Sequence, residues 1–208
     1  MKSKFPTASI IITNHNYAKY LQRCVRSCLS QRHIPVEVIV VDDLSDDDSI
    51  SKLQPFEDDI KIIKNFKNVG VAESANIGIK ESRSQFVIRV DADDFVASEM
   101  CYFMTEYLEL NHDAFCVSCD YLMVDNYENT LERRYAKEKN ISCGIMYRRD
   151  LLLELGGYNP TMRHKEEEEL RKRLGKKYKI HHMGMPFYRY RMHDDNKTKS
   201  KEYSQTKI

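Results

Sequence analysis

Glycine and proline are scarce in this chain, 7 and 5 among 208 residues, and no segment repeats or runs to low complexity. A collagen-like, fibrous or disordered polymer is excluded, because 41% of the residues are hydrophobic and 31% charged, enough for one full domain with a sizeable core. No stretch reaches the ~18 consecutive apolar residues of a membrane-spanning helix. The opening MKSKFPTAS has no apolar run ahead of a cleavage site, so the cytoplasm is the expected address. An excess of one charge is also lacking: 33 Lys and Arg balance 32 Asp and Glu, which excludes the global basicity of a dedicated nucleic-acid binder. The balance is uneven, however. From Arg171 to Ile208, twelve Lys and Arg face only Asp194, Asp195 and Glu202, a basic end suited to phosphates or to the inner face of a membrane, or else simply frayed in solvent.

Six cysteines are present, but a chain of this size rich in buried-type apolar runs needs no disulfide framework. Cys116 and Cys119 form a CxxC inside the apolar run AFCVSCDYLMV, with no second pair or spaced histidines, so they read as strand residues rather than zinc ligands. Cys24 and Cys28 lie four apart on one helical face and read as packing residues.

The first half alternates strand-like and helix-like segments, the pattern that builds a parallel sheet with helices on its faces. Ala8 to Thr13 and Val36 to Val41 are short β-branched runs, apolar on both faces as buried parallel strands require. Ile60 to Ile63 is a weaker third strand and Phe86 to Val90 a fourth. Helices are expected from Tyr17 to Gln31, in a short piece after the aspartates at 46–48, and after Gly70. Beyond Asp94 the expected elements are a helix from Glu99 to Leu110, a strand from Phe115 to Val124, and a polar connection from Asp125 to Asn140. A short CGIMY strand, a helix ending at Gly156 and Gly157, and a charged helix from Glu166 to Leu174 complete the series. No linker is long enough to split the chain, so residues 1–208 are expected to form one domain.

In an open parallel sheet, ligands bind outside the carboxyl ends of the strands. Three strands end there in polar residues: Thr13, the pair Asp42 and Asp43, and the run Asp91, Ala92, Asp93, Asp94. Carboxylates crowded into four residues repel one another unless protons or a cation intervene, and hard divalent ions such as Mg²⁺ or Mn²⁺ suit oxygen ligands.

With these motifs in place, the chain resembles a family 2 glycosyltransferase of GT-A fold, a Rossmann-like α/β architecture with a mainly parallel central sheet flanked by helices. The resemblance rests on ASIIITNHNYAKYLQRCVRSCLSQ, EVIVVDDLSDDDS, NVGVAESANIGI, FVIRVDADDF, LGGYNPTMRHKEEEELRKRL and YRMH, which span nearly the whole chain in the family's order. It implies a nucleotide-sugar-binding half at about 1–95 and an acceptor-side half at about 96–208. It also implies a UDP-sugar donor, a Mg²⁺ or Mn²⁺ ion, and a glycan or lipid-linked acceptor. Contact with a membrane through the basic end, or a homodimer, would complete an acceptor side that is short for the family.

Carried over residue by residue, the resemblance puts Thr13, Asn14, Asn16, Asp42 and Asp43 at the nucleobase and ribose. Asp91, Asp93 and Asp94 match the DxD region, with Asp93 as first choice for the metal. Glu167 matches the catalytic base and Glu166 its neighbour. Glu stands where relatives carry Asp, and four consecutive glutamates blur the choice; acidic residues in the first turn also suit the helix dipole without any catalysis. His193 matches a histidine near the metal or donor phosphates. Ala75 stands where family members often carry Arg, a contribution expected instead from Arg89 or the basic end. Two rivals remain at this stage: a catalytically inactive nucleotide- or protein-binding relative, and a sugar nucleotidyltransferase, disfavoured because the loop Asn14-His15-Asn16-Tyr17 lacks glycine and lysine.

Overall fold

The computed structural model describes residues 6–138, 141–194 and 196. Four strands form the parallel half of one sheet: β1 (Ala8–Asn14), β2 (Val36–Asp42), β3 (Lys61–Lys64) and β4 (Phe86–Asp91), in the spatial order β3-β2-β1-β4. Every residue of β1 is buried, and its side chains divide by the period of two. Ile10 and Ile12 join one core with Val38, Val40, Ile88 and Val90, whereas Ile11 joins a second with Ile39, Val41 and Val87. Each face therefore needs a helical cover. Helix α1 (Ala18–Leu29) covers the first with Leu21, Cys24, Val25 and Cys28, together with α4 (Met100–Leu110). Helix α3 (Val71–Glu81) covers the second with Ala72, Ala75 and Ile79.

Gly78 lets α3 approach closely, because a Cβ there would run into Ile11 Cγ2. A short α2 (Ser49–Leu53) follows the aspartate loop. The sheet then continues from β4 through β8 (Ile145–Arg148), β6 (Ala114–Val124) and β9 (Lys179–Arg191) to β5 (Phe95–Val96). Here the pairing is mixed: β8 is antiparallel to both β4 and β6, whereas β6 and β9 run parallel over ten residue pairs. Helices α5 (Arg149–Glu154) and α6 (Glu166–Leu174) add Leu152, Leu170 and Leu174 to the second core.

Two expectations are corrected. The polar connection from Asp125 to Asn140 contains a strand, β7 (Thr130–Arg134), antiparallel to β6; its residue Asn140 lies outside the described residues. The first part of the basic end is not frayed: residues 179–191 form β9, while Asp195 and residues 197–208 lie outside the described residues. Among the described residues no helix is long and apolar enough to cross a membrane.

The Gly156-Gly157 turn is clamped by α3. Gly157 has φ +69°, and a Cβ there would collide with Asn76 Oδ1. Asn76 Oδ1 accepts from Tyr158 N at 2.9 Å and its Nδ2 donates to Tyr158 O at 2.8 Å, both buried. Asn76→Ala strands two buried backbone groups, so a loss of at least about 1–3 kcal/mol is expected in urea unfolding, with no loss if the clamp is incidental.

Candidate active site

The parallel register sets the rim. Asn14 lies beside Asp42, and Thr13 beside Asp91, so three strand ends open on one edge. A cavity of about 470 Å³ lies there, within the size range of small-ligand pockets. Thr13, Asn14, Asp43, Asp91, Asp93 and Asp94 line it from the strand ends, and Glu166 and Glu167 line it from the first turn of α6. Asn16, Asp42 and His193 are not on its wall. Asn16 Oδ1 accepts from Asp46 N at 2.9 Å, and the Asp42 carboxylate is turned to Asn14 Nδ2 at 2.7 Å and the Ser45 hydroxyl at 2.6 Å. They shape the loop behind the rim.

Asp43 fixes the 65–70 loop. Its Oδ1 accepts from Val69 N at 2.8 Å and Asn65 Nδ2 at 2.9 Å, and its Oδ2 from Gly70 N at 2.7 Å. A carboxylate offers about four acceptor sites, which leaves one on Oδ2 for a donor in the cavity.

The acidic turn is cradled by the end of β9. Asp94 Oδ2 accepts from the Tyr188 hydroxyl at 2.7 Å and its Oδ1 from Arg191 N at 2.8 Å. Arg191 Nε donates to Asp93 O at 3.0 Å, and Asp91 N donates to the Tyr188 oxygen at 3.2 Å. Asp94 also lines the cavity, but each of its oxygens already accepts one hydrogen bond from β9, so its first task is to hold the turn that presents Asp91 and Asp93. His193 Nε2 lies 2.9 Å from Asp93 Oδ2, behind the carboxylate and packed against Tyr20 in a tilted ring pair with centroids 4.8 Å apart.

Electrostatics sort these groups further. Burial, and then the charges of Asp93 and Asp91, push the Asp94 carboxyl well above its ordinary range. Asp91 is pushed up too, by its enclosure first and by Asp93 next, against the pull of Arg89, although about a third of its side chain meets the cavity. Among the described residues, no three His, Cys, Asp or Glu side chains group as a metal cage. A mutually repelling pair of carboxylate donors, Asp91 and Asp93, nevertheless fits a hard divalent ion, since Mg²⁺ commonly takes one or two protein carboxylates and completes its shell with phosphates and water.

The two glutamates on α6 differ sharply. Glu166 Oε1 accepts from Arg89 Nη1 at 2.6 Å; burial would raise its carboxyl, but the Arg89 charge outweighs that and holds it below the usual range. Glu167 accepts from the Tyr147 hydroxyl at 2.5 Å and Arg171 Nε at 2.8 Å, yet burial prevails and pushes it up to about 7. Glu168 is exposed at the cavity wall and Glu169, half-buried, pairs with Arg173 at 2.7 Å, so neither shares the enclosed setting of Glu166 and Glu167. Arg89 is buried between Glu166 and Asp91, the latter at 3.4 Å, and is committed to them. Ala75, where an arginine was missed, is packed in the second core.

Tyr147, Tyr188, Arg171 and Arg191 were not anticipated from the sequence. Only Arg171 left a readable signal, its i, i+4 spacing from Glu167.

A doubly covered sheet with acidic strand ends and a helix-borne carboxylate on one cavity is the GT-A architecture of glycosyltransferases. The chain belongs to glycosyl transferase family 2, whose family model matches residues 9–196. It is 33% identical over 110 residues to an uncharacterized glycosyltransferase of Haemophilus influenzae, covering 51% of this chain and 44% of that protein. It is 27% identical over 152 residues to an Escherichia coli chondroitin synthase, covering 69% of this chain and 22% of the synthase. Among solved structures, S. aureus TarS in complex with UDP-GlcNAc superposes with a TM-score of 0.76 at 19% identity, over 97% of this chain and 62% of the other. A Pyrobaculum calidifontis mannosyltransferase with GDP-Man and Mn²⁺ gives 0.74 at 19% identity, over 93% and 59%. The chain thus spans less than half of these two curated relatives and about six tenths of these two solved chains.

Proposed function

We propose that this chain transfers a sugar from a nucleotide-diphosphate donor, a UDP-sugar in the first instance, to a hydroxyl of a glycan or lipid-linked acceptor, with inversion at the anomeric carbon. The observation that carries the reading is the shared cavity: Glu167, with its carboxyl near 7, and the carboxylates Asp91 and Asp93 line the same space. A group titrating near neutral pH is matched to general-base work.

The open acceptor site on Asp43 Oδ2 suits the imide N–H of a uracil, with Thr13 and Asn14 beside it. Asp91 and Asp93 would hold a divalent ion, which when bound supplies Lewis-acid stabilisation of a departing diphosphate. His193 orients Asp93 from behind. Glu167 takes the proton of the acceptor hydroxyl as that oxygen bonds to the anomeric carbon. The bond from that carbon to the phosphate oxygen breaks, and the nucleoside diphosphate leaves. Tyr147 and Arg171 hold the carboxylate in place, and Glu166, kept ionised by Arg89, has no proton-transfer role.

Screening UDP- and GDP-sugars for Mn²⁺-dependent release of the nucleoside diphosphate tests the reading. Slow hydrolysis of at least one donor is expected even without acceptor; a protein that binds nucleotide but hydrolyses none would be an inactive relative.

A further inference from the structure

Among the described residues, four arginines line the cavity, and three of them are committed to carboxylates. Arg89 is held by Glu166 at 2.6 Å, Arg171 by Glu167 at 2.8 Å and Arg134 by Glu132 at 2.6 Å. Arg163 differs. Its Nη1 donates at 2.9 Å to Asn68 Oδ1, a neutral amide, and the side chain is exposed. It reaches from the loop ahead of α6 to the loop ahead of α3 and lies flat on Gly70, where a Cβ would stand 2.6 Å from Nη1. Gly70 is the residue whose N–H is held by Asp43 Oδ2.

Resting on the nucleotide-sugar reading above, we propose that Arg163 is a donor-binding residue that exchanges Asn68 for the phosphoryl oxygens of the donor's diphosphate. A guanidinium bound to an amide gives up a neutral hydrogen bond and gains charge-assisted, forked ones when a phosphate arrives. The other three arginines have carboxylates to abandon before they can do the same. Position supports the assignment: Arg163 stands over the loop pinned by Asp43 and three residues before Glu166, so a diphosphate bound there lies between the base-recognising loop and the helix that carries Glu167.

The test is a titration of the whole chain and of Arg163→Gln and Arg163→Lys with UDP by calorimetry and with uridine by ligand-observed NMR, in EDTA and in Mn²⁺. Arg163→Gln is expected to weaken UDP about ten- to a hundredfold in both conditions and to leave uridine within twofold. Arg163→Lys, which keeps the charge but loses the fork, is expected to fall between. Because the side chain is exposed, the melting temperature serves as the folding control. Equal weakening of UDP and uridine, or no weakening of either, overturns the role of Arg163. A native chain that binds neither UDP nor GDP overturns the nucleotide-sugar reading itself.

Discussion

Glu167→Gln is expected to cut sugar transfer by about 10²–10⁴, the range that general-base assistance contributes, while leaving donor affinity nearly intact. The substitution removes the proton acceptor and the charge partner of Arg171, while Gln keeps an oxygen for the Tyr147 hydroxyl and the volume of the buried site, so a melting curve accompanies the assay as the folding control. The pH dependence follows from the direction of the shift. A base raised to about 7 is protonated and idle below that value, so native transfer rises as pH passes upward through about 7, and the Gln variant loses this limb. Stability runs the opposite way. The folded chain holds the Glu167 proton more tightly than the unfolded chain, so the associated stabilisation is complete below the ordinary carboxylate range and is lost as pH rises through about 7. Glu166→Gln separates base from buttress: it leaves Arg89 buried with half its charge partners gone, and the expected outcome is a lower denaturation midpoint, of the order of 3–5 kcal/mol for a broken buried pair. Full turnover by Glu167→Gln, measured with a donor that the native chain accepts, would remove Glu167 from the mechanism.

That contrast between adjacent glutamates marks where sequence reading ends. The parallel strands were legible because a strand buried on both faces must be a continuous β-branched run, and ASIIIT, VEVIVV and FVIRV are such runs ending in polar residues. The cavity edge followed from those ends. Strand β9 was not legible: KIHHMGMPFYRYR mixes charge, histidine and aromatics, is only partly buried, and pairs with β6 through three register shifts, so no period of two survives. With β9 hidden, Tyr188 and Arg191 were hidden too, and with them the cradle that holds Asp94. The same limit applies to β7, whose TLERR is almost wholly exposed and carries no apolar alternation. Which glutamate is raised and which lowered depends on how deeply the folded core encloses each and on Arg89, 77 positions away in sequence, which holds Glu166 down; neither is encoded in local pattern.

The same cradle predicts how the acidic turn divides its labour. Asp93→Asn is expected to weaken Mn²⁺-dependent nucleotide binding by at least ten- to a hundredfold, the loss that removing even an outer partner of a metal ligand produces. Among the described residues, only Oδ2 of the Asp93 carboxylate has a protein hydrogen bond, to His193, and the residue is on the cavity wall. The amide keeps the shape but removes the charge, and its oxygen is a poorer ligand for a hard cation. Binding of UDP in EDTA is expected to change little, because Thr13 and Asp43 act at the other strand ends. Asp94→Asn makes the opposite forecast. Each of its oxygens already accepts a hydrogen bond, from Tyr188 and from Arg191, so its loss is expected to fall first on thermal stability, with the effect on Mn²⁺ following from a displaced turn. Calorimetric titration of UDP with and without Mn²⁺, run on both variants beside their melting curves, distinguishes the two residues. If Asp93→Asn retained the full Mn²⁺-dependent gain in affinity, the ion would have to be held elsewhere, and the pairing of Asp91 with Asp93 as its seat would fall.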